Sequence, residues 1–230
     1  MSSTAFRLRG REVSRIEGFT DAVFAFAVTL LVVSLEVPRT FTELAETMRG
    51  FPAFAICFAV LFAVWYRHHT FFRRYALQDF TTAALTGVLL FVVLFYVYPL
   101  KFLFTLLFGQ VLGLGRYLAG EAPIETEQVP ALFIVYGAGL IAVEMTFTLL
   151  YAHAYRRRAD LDLSPREVFL TRSAMGRNLV SAAVGALSIL IALTHGAIPL
   201  SWAGWVYFLN APAHALFGSL MGRRWRRIEV

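Results

Sequence analysis

The chain has one cysteine, Cys57, and one lysine, Lys101, among 230 residues, and only 16% of its residues are charged. One cysteine excludes both a disulfide framework and a multi-cysteine metal site. Cys57 lies inside an apolar stretch, where it reads as packing. Scarce charge beside 58% hydrophobic residues and a mean hydropathy of +0.64 excludes an ordinary soluble domain and defines an integral membrane protein. Enzyme signatures are missing too. There is no Gly-x-Ser-x-Gly elbow, no His-Glu-x-x-His zinc helix and no P-loop glycine-lysine motif, so the chain is not read as an enzyme. No low-complexity segment and no internal repeat stands out, and nothing calls for a cofactor.

What is present is a series of long apolar runs. A bilayer core takes about 20 apolar residues per helix, and six stretches qualify: about 16–37, 51–68, 83–108, 130–153, 176–194 and 200–221. They predict an all-α protein in which 1–230 is a single six-helix membrane domain. The first run extends for about 20 residues, beyond the usual length of a signal-peptide core, and is read as a retained helix. The third continues apolar from Ala83 to Leu114, longer than one bilayer crossing, with Pro99 inside it as an expected kink.

Arginine placement decides how often that third stretch crosses. With six crossings, the N-terminal tail, the segment Arg67 to Arg74, the segment Arg156 to Arg177 and the tail from Arg223 share one side and hold 17 of the 20 arginines. A second crossing within Ala83 to Leu114 would move Arg156, Arg157 and Arg158 to the other side, against the positive-inside rule. The pattern predicts one kinked span and two cytoplasmic termini. It also accounts for a pI near 9.8 through topology and contacts to anionic lipid, without nucleic acid as a partner.

The first run begins with charges. A charge near the centre of a membrane helix costs about 2.5 to 3.5 kcal/mol on insertion scales, so Asp21, so close to an apolar run, has to be paired, hydrated or functional. Arg15 and Asp21 are six residues apart and sit about 120° from each other around a helix, so each needs another partner. The double histidine His68-His69, near the same end of the second span, is the natural candidate for Asp21, and a histidine beside a carboxylate offers a route to tuning by pH. Further along the same helix Ala22, Phe26, Thr29, Leu30 and Val33 fall on one stripe. That stripe either packs against other helices and lipid or forms stacked rings around an axis.

Other polar residues carry less. Glu144 lies midway along the fourth span and is expected to be paired. His153, His195 and His214 sit near span ends without metal-ligand spacing. Asn178 suits an interhelical hydrogen bond, Pro212 a kink in the last span, and Trp202, Trp205, Tyr207, Tyr96 and Tyr98 suit interfacial belts or helix packing.

Arg15-x-x-x-Phe19-Thr20-Asp21, followed by Ala-Val-Phe-Ala-Phe-Ala-Val-Thr-Leu-Leu, resembles the signature of the transmembrane protein 175 potassium-channel family, with Thr20 in place of the usual serine. Trp65-x-x-His68-His69-x-x-Phe72 resembles the tryptophan and double-histidine run of its bacterial members. The resemblance implies a homotetramer in a bacterial inner membrane that passes potassium, with sodium or protons as further candidate ions and lipids around it. It places Ala22, Phe26, Thr29, Leu30 and Val33 on a central pore with a hydrophobic constriction. Phe26 stands where the family has a narrow isoleucine or leucine layer. The resemblance also implies that Arg15, Phe19, Thr20, Asp21, Trp65, His68 and His69 form a structural network around the pore helix rather than an ion site. In keeping with it, no Thr-Val-Gly-Tyr-Gly filter loop occurs. The alternative is a proton-coupled transporter using Asp21 and Glu144, although such carriers commonly show an inverted repeat and broken helices that are not evident here. A non-conducting scaffold would leave Asp21 as packing glue.

Overall fold

Ser14 and Glu17 open the first helix. The Glu17 carboxylate accepts from the Ser14 backbone N–H at 2.9 Å, and the Ser14 hydroxyl accepts from the Glu17 N–H at 3.2 Å, so two donors that a helix start leaves unpaired are satisfied reciprocally. The helix that follows, α1, spans Arg15–Val33. The computed structural model describes residues 6–33, 37–111, 124–194, 199 and 201–226, and all regular elements among these are helical. They run in the order α2 (Phe41–Arg49), α3 (Phe51–Tyr75), α4 (Phe80–Val111), a 3₁₀ turn (Thr126–Gln128), α5 (Val129–Arg156), α6 (Pro165–Ala192), α7 (Ser201–Trp205), a 3₁₀ turn (Val206–Leu209) and α8 (Asn210–Arg226). The end of the first expected span at 34–36, residue 200 of the sixth, and His195 lie outside the described residues.

Five helices, α1, α3, α4, α5 and α6, are long and apolar enough to cross a membrane among the described residues. Most exceed their apolar cores. α3 continues to Tyr75 through Arg67, His68, His69, Arg73 and Arg74, and α6 begins eleven residues before the apolar run, at a Ser164/Glu167 capping box with Pro165 in the first turn. α4 is one uninterrupted helix of 32 residues with Pro99 inside it, so the third stretch does not turn back on itself. The sixth stretch is not one continuous helix. It divides into α7, the 3₁₀ turn and α8, and Pro212 supplies a reason: it has no N–H to donate to the carbonyl one turn earlier, which favours the tighter winding seen just before α8. α2 was not expected. Its start is fixed by Thr40, whose hydroxyl accepts from the Glu43 N–H at 3.2 Å.

The chain forms two compact units, one of Met1–Arg11, Arg73–Leu89 and Glu127–Val230, the other of Glu12–Phe72 and Leu90–Thr126. In the first, α5 and α6 form a hairpin whose crossing is set by Gly137 and Gly185. A Cβ on Gly137 would lie 2.5 Å from Ile189 Cγ1 and 3.0 Å from the Gly185 oxygen, so only the bare backbone allows this approach. α6 also carries the C-terminal helices. Ser188 donates to the Ala203 carbonyl at 2.8 Å, Ser181 and His214 share a 2.8 Å hydrogen bond, and the Phe217 ring covers Gly176.

The N-terminal segment is held against this unit. The N–H groups of Arg9 and Gly10 donate to the Arg73 carbonyl at 3.0 and 3.1 Å. The Arg9 guanidinium reaches both Glu167 oxygens at 2.9 Å and the carbonyls of Leu161, Asp162 and Arg74. Asp79, which caps the start of α4 through Thr82, meets His153 of α5 at 2.6 Å. The N-terminal segment, the end of α3, the start of α4 and the α5–α6 turn therefore share one end of this unit.

In the second unit the buried apolar positions include Phe24, Ala27 and Leu31 on α1, Ala53, Cys57 and Leu61 on α3, and Leu90, Val93 and Val97 on α4. Spacings of three and four place each set on one side of its helix.

Candidate functional site

α1 is apolar almost all round, so its composition alone does not say which side packs inward. The structure separates the sides. Glu17, Thr20, Phe24, Ala27 and Leu31 are buried, with Ala27 at 0% and Leu31 at 1% exposure. Ala22, Phe26, Thr29 and Val33 are exposed and Leu30 is partly so, with Phe26 at 55% and Val33 at 72%. At 100° per residue the two stripes are centred about 160° apart, on nearly opposite sides of the helix. The expected pore stripe is thus the side of α1 that a single chain leaves uncovered. The Thr29 hydroxyl bonds back to the Ala25 carbonyl at 2.9 Å, so its donor is used within the helix and its methyl group adds to the apolar stripe.

The charged start of α1 is tied to α3. The Trp65 indole N–H donates to Asp21 Oδ1 at 2.7 Å. His69 stacks on Trp65 with ring centres 5.5 Å apart and planes 18° apart. His68, one residue earlier on α3, is buried, with its ring 4.7 Å from that of Phe72. The structure thus brings Asp21, Trp65 and His69 into one chain of contacts, with Trp65 as a donor to Asp21. Thr20 is fully buried, and its hydroxyl donates to the Ile16 carbonyl at 2.8 Å. Arg15 and Phe19 are exposed. Among the described residues the Arg15 side chain makes no hydrogen bond or ion pair, so the single chain leaves the guanidinium end of the motif open.

Two features at this end of the molecule escaped the reading by hydropathy. One is the Ser14/Glu17 capping box, whose signal was the Ser-x-x-Glu spacing immediately before the motif. The other is the Arg9–Glu167 pair, 158 residues apart in sequence and without a local signal. Glu144 is buried within α5, far along the chain from the Asp21 network.

The geometry can be set beside known proteins. A protein-family profile described as the endosomal/lysosomal potassium channel TMEM175 matches residues 15–96, from the first residue of α1 into α4. A potassium channel of Marivirga tractuosa is 39% identical over 235 residues, covering 97% of this chain and 93% of the relative. A potassium channel of Chamaesiphon minutus is 29% identical over 151 residues, 62% of this chain and 66% of the relative. Among solved structures, a variant of the potassium channel MtTMEM175 in complex with a nanobody–MBP fusion matches with a TM-score of 0.85 at 38% identity, covering 96% of this chain and 99% of that one. The lysosomal potassium-selective channel TMEM175 homolog from Chamaesiphon minutus matches with a TM-score of 0.51 at 25% identity, covering 88% and 96%. With a relative this similar over nearly its whole length, the chain belongs to the TMEM175 potassium-channel family.

Proposed function

We propose that the chain is one subunit of a potassium-permeable cation channel in which four copies surround a central pore lined by α1. In this reading residues 1–230 act as a single six-helix membrane domain, the broken segment from Ser201 to Arg226 supplying the sixth crossing. Ala22, Phe26, Thr29, Leu30 and Val33 form stacked rings, with Phe26 as the narrow hydrophobic layer, and potassium, sodium or protons are the candidate permeant ions. Arg15, Phe19, Thr20, Asp21, Trp65, His68 and His69 hold the pore helix in place. Both termini are cytoplasmic, in a bacterial inner membrane.

The observation that carries the reading is the two-sidedness of α1. Its apolar stripe through Phe26 is uncovered in one chain, on the side opposite the residues that pack inward. One pore motif per chain requires several copies to close a ring, and cyclic symmetry supplies them. The shared end of the N-terminal segment, α3 and the α5–α6 turn supports the placement of the termini. Recording from purified protein in a planar bilayer, with potassium on one side and sodium on the other, tests the reading. Discrete current steps support a channel, and saturable proton-dependent flux without steps supports the transporter using Asp21 and Glu144. Native mass spectrometry under mild detergent should show tetramers, and mainly monomers would count against the pore.

A further inference from the structure

At the arginine-rich end of the α5–α6 hairpin, two guanidinium groups converge on one aromatic ring. Arg158 lies 4.8 Å and Arg172 lies 5.9 Å from the centre of the Tyr155 ring. They come from different places, Arg158 from just past the end of α5 and Arg172 from the second turn of α6. We infer that Arg158, Arg172 and Tyr155 form a binding site for the phosphate group of an anionic phospholipid.

The first reason is charge. The carboxylates at this end are already engaged: Asp160 pairs with Arg157 at 2.7 Å, Asp162 with Arg7 at 3.4 Å, Glu167 with Arg9 at 2.9 Å and Asp79 with His153 at 2.6 Å. Among the described residues neither Arg158 nor Arg172 has an ion pair. Among the described residues the Arg158 side chain makes one hydrogen bond, to the Tyr155 carbonyl at 3.3 Å, and both arginine side chains are exposed. Two cations held within about 6 Å of one ring share its attraction but repel each other. An anion at this ring offsets that repulsion and accepts charge-assisted hydrogen bonds from the exposed guanidinium donors, for which guanidinium and phosphate are geometrically matched.

The second reason is position. Tyr155 and Arg172 lie where the apolar lengths of α5 and α6 meet the polar turn, which is where headgroups reside and where tyrosine is favoured. Leu179 is exposed seven residues beyond Arg172, on the same side of α6, and offers an apolar path for an acyl chain. Such a surface suits a lipid better than a free ion. The inference requires membrane insertion and does not depend on ion conduction.

The test uses the purified full-length chain in detergent, titrated with phosphatidylglycerol, phosphatidylcholine or inorganic phosphate, with bound lipid counted by native mass spectrometry. Phosphatidylglycerol should bind and phosphatidylcholine should not compete. The R158Q/R172Q double variant should lose about tenfold in phosphatidylglycerol affinity, and each single variant about threefold. Arg157→Gln, which removes a charge already paired with Asp160, should stay within about twofold of the parent. The three altered side chains are exposed, so every variant should keep the parent's thermal midpoint in phosphatidylcholine. Undiminished phosphatidylglycerol binding by the singles and the double would overturn the site. Equal binding of the two lipids, or displacement of phosphatidylglycerol by inorganic phosphate at equal concentration, would overturn the assignment to an anionic lipid.

Discussion

The Trp65 indole donates its N–H to the Asp21 carboxylate at 2.7 Å, joining α3 to the charged start of α1. The bond separates two roles that substitution can test. Trp65→Phe keeps an aromatic ring beside His69 and removes the donor, so it should lower stability in detergent by about 1 kcal/mol, the size of one hydrogen bond at a partly exposed site. Asp21→Asn keeps an acceptor oxygen and removes the charge. Thermal melts and gel filtration should show both variants losing folded assembly while ion preference stays fixed. Normal assembly with altered ion preference in Asp21→Asn would make Asp21 an ion site instead.

Arg9 is the anchor of the N-terminal segment. Its side chain and that of Glu167 are 11% and 6% exposed, and the guanidinium makes hydrogen bonds to both carboxylate oxygens and to several carbonyls. Arg9→Ala leaves Glu167 buried without its cation, a change that typically costs about 3 to 5 kcal/mol. Denaturation should show a loss of that order, whereas Arg11→Ala, at an exposed position, should stay within about 0.5 kcal/mol of the parent.

The α5–α6 crossing gives a steric prediction. Gly137→Ala places a methyl group against Ile189 and the Gly185 carbonyl. Overpacking of this kind costs about 1 to 3 kcal/mol. Gly218→Ala, where a Cβ meets nothing within 4 Å, should leave the melting temperature close to the parent's.

Acid should act through Asp79, outside the membrane-spanning helices. Partial burial pushes its carboxyl up, but the Thr82 N–H, His153 and the Thr82 hydroxyl outweigh this and hold it below its ordinary value of 3.8. A carboxyl with a depressed folded-state pKa contributes stability that is fully present above the unfolded value and is lost as pH falls through the folded one. The stability difference between the parent and Asp79→Asn should therefore hold steady above pH 3.8 and close below it. A difference that instead grows on acidification, in denaturation measured across that range, would reverse the assigned sign.

Much of this was legible in the sequence because membrane helices announce themselves by hydropathy and the arginine pattern argues against a second crossing in the third stretch. The apolar cores of α1, α3, α4, α5 and α6 and the single passage through Pro99 follow from those two signals. Helix ends were not legible from hydropathy, because α3 continues over Arg73 and Arg74, and α6 starts over Arg166 and Glu167, where the chain is polar. Capping residues carried that information at Ser14, Thr40 and Ser164. The sixth stretch reads as one run by hydropathy, and Pro212, read as a kink, lies where the winding changes between the 3₁₀ turn and α8. In the candidate site, the stripe through Phe26 came from periodicity, but its isolation from the buried side of α1 required coordinates. Trp65 was legible as a member of the Asp21 network, but that its indole N–H is a donor to Asp21 required the structure.

The most direct test of the account is Phe26→Ala in single-channel recordings with opposing potassium and sodium. A hydrophobic ring makes an ion give up water without replacing it, and the barrier depends on ring width and on how readily the segment dewets. Potassium holds its water less tightly than sodium, so widening the ring should raise conductance and move the reversal potential toward no preference. Leu30→Ala and Val33→Ala should act in the same direction but less, while Val28→Ala, off the stripe, should change little. Unchanged conductance and reversal potential in Phe26→Ala, or equal effects at Val28 and Phe26, would contradict a pore lined by this side of α1.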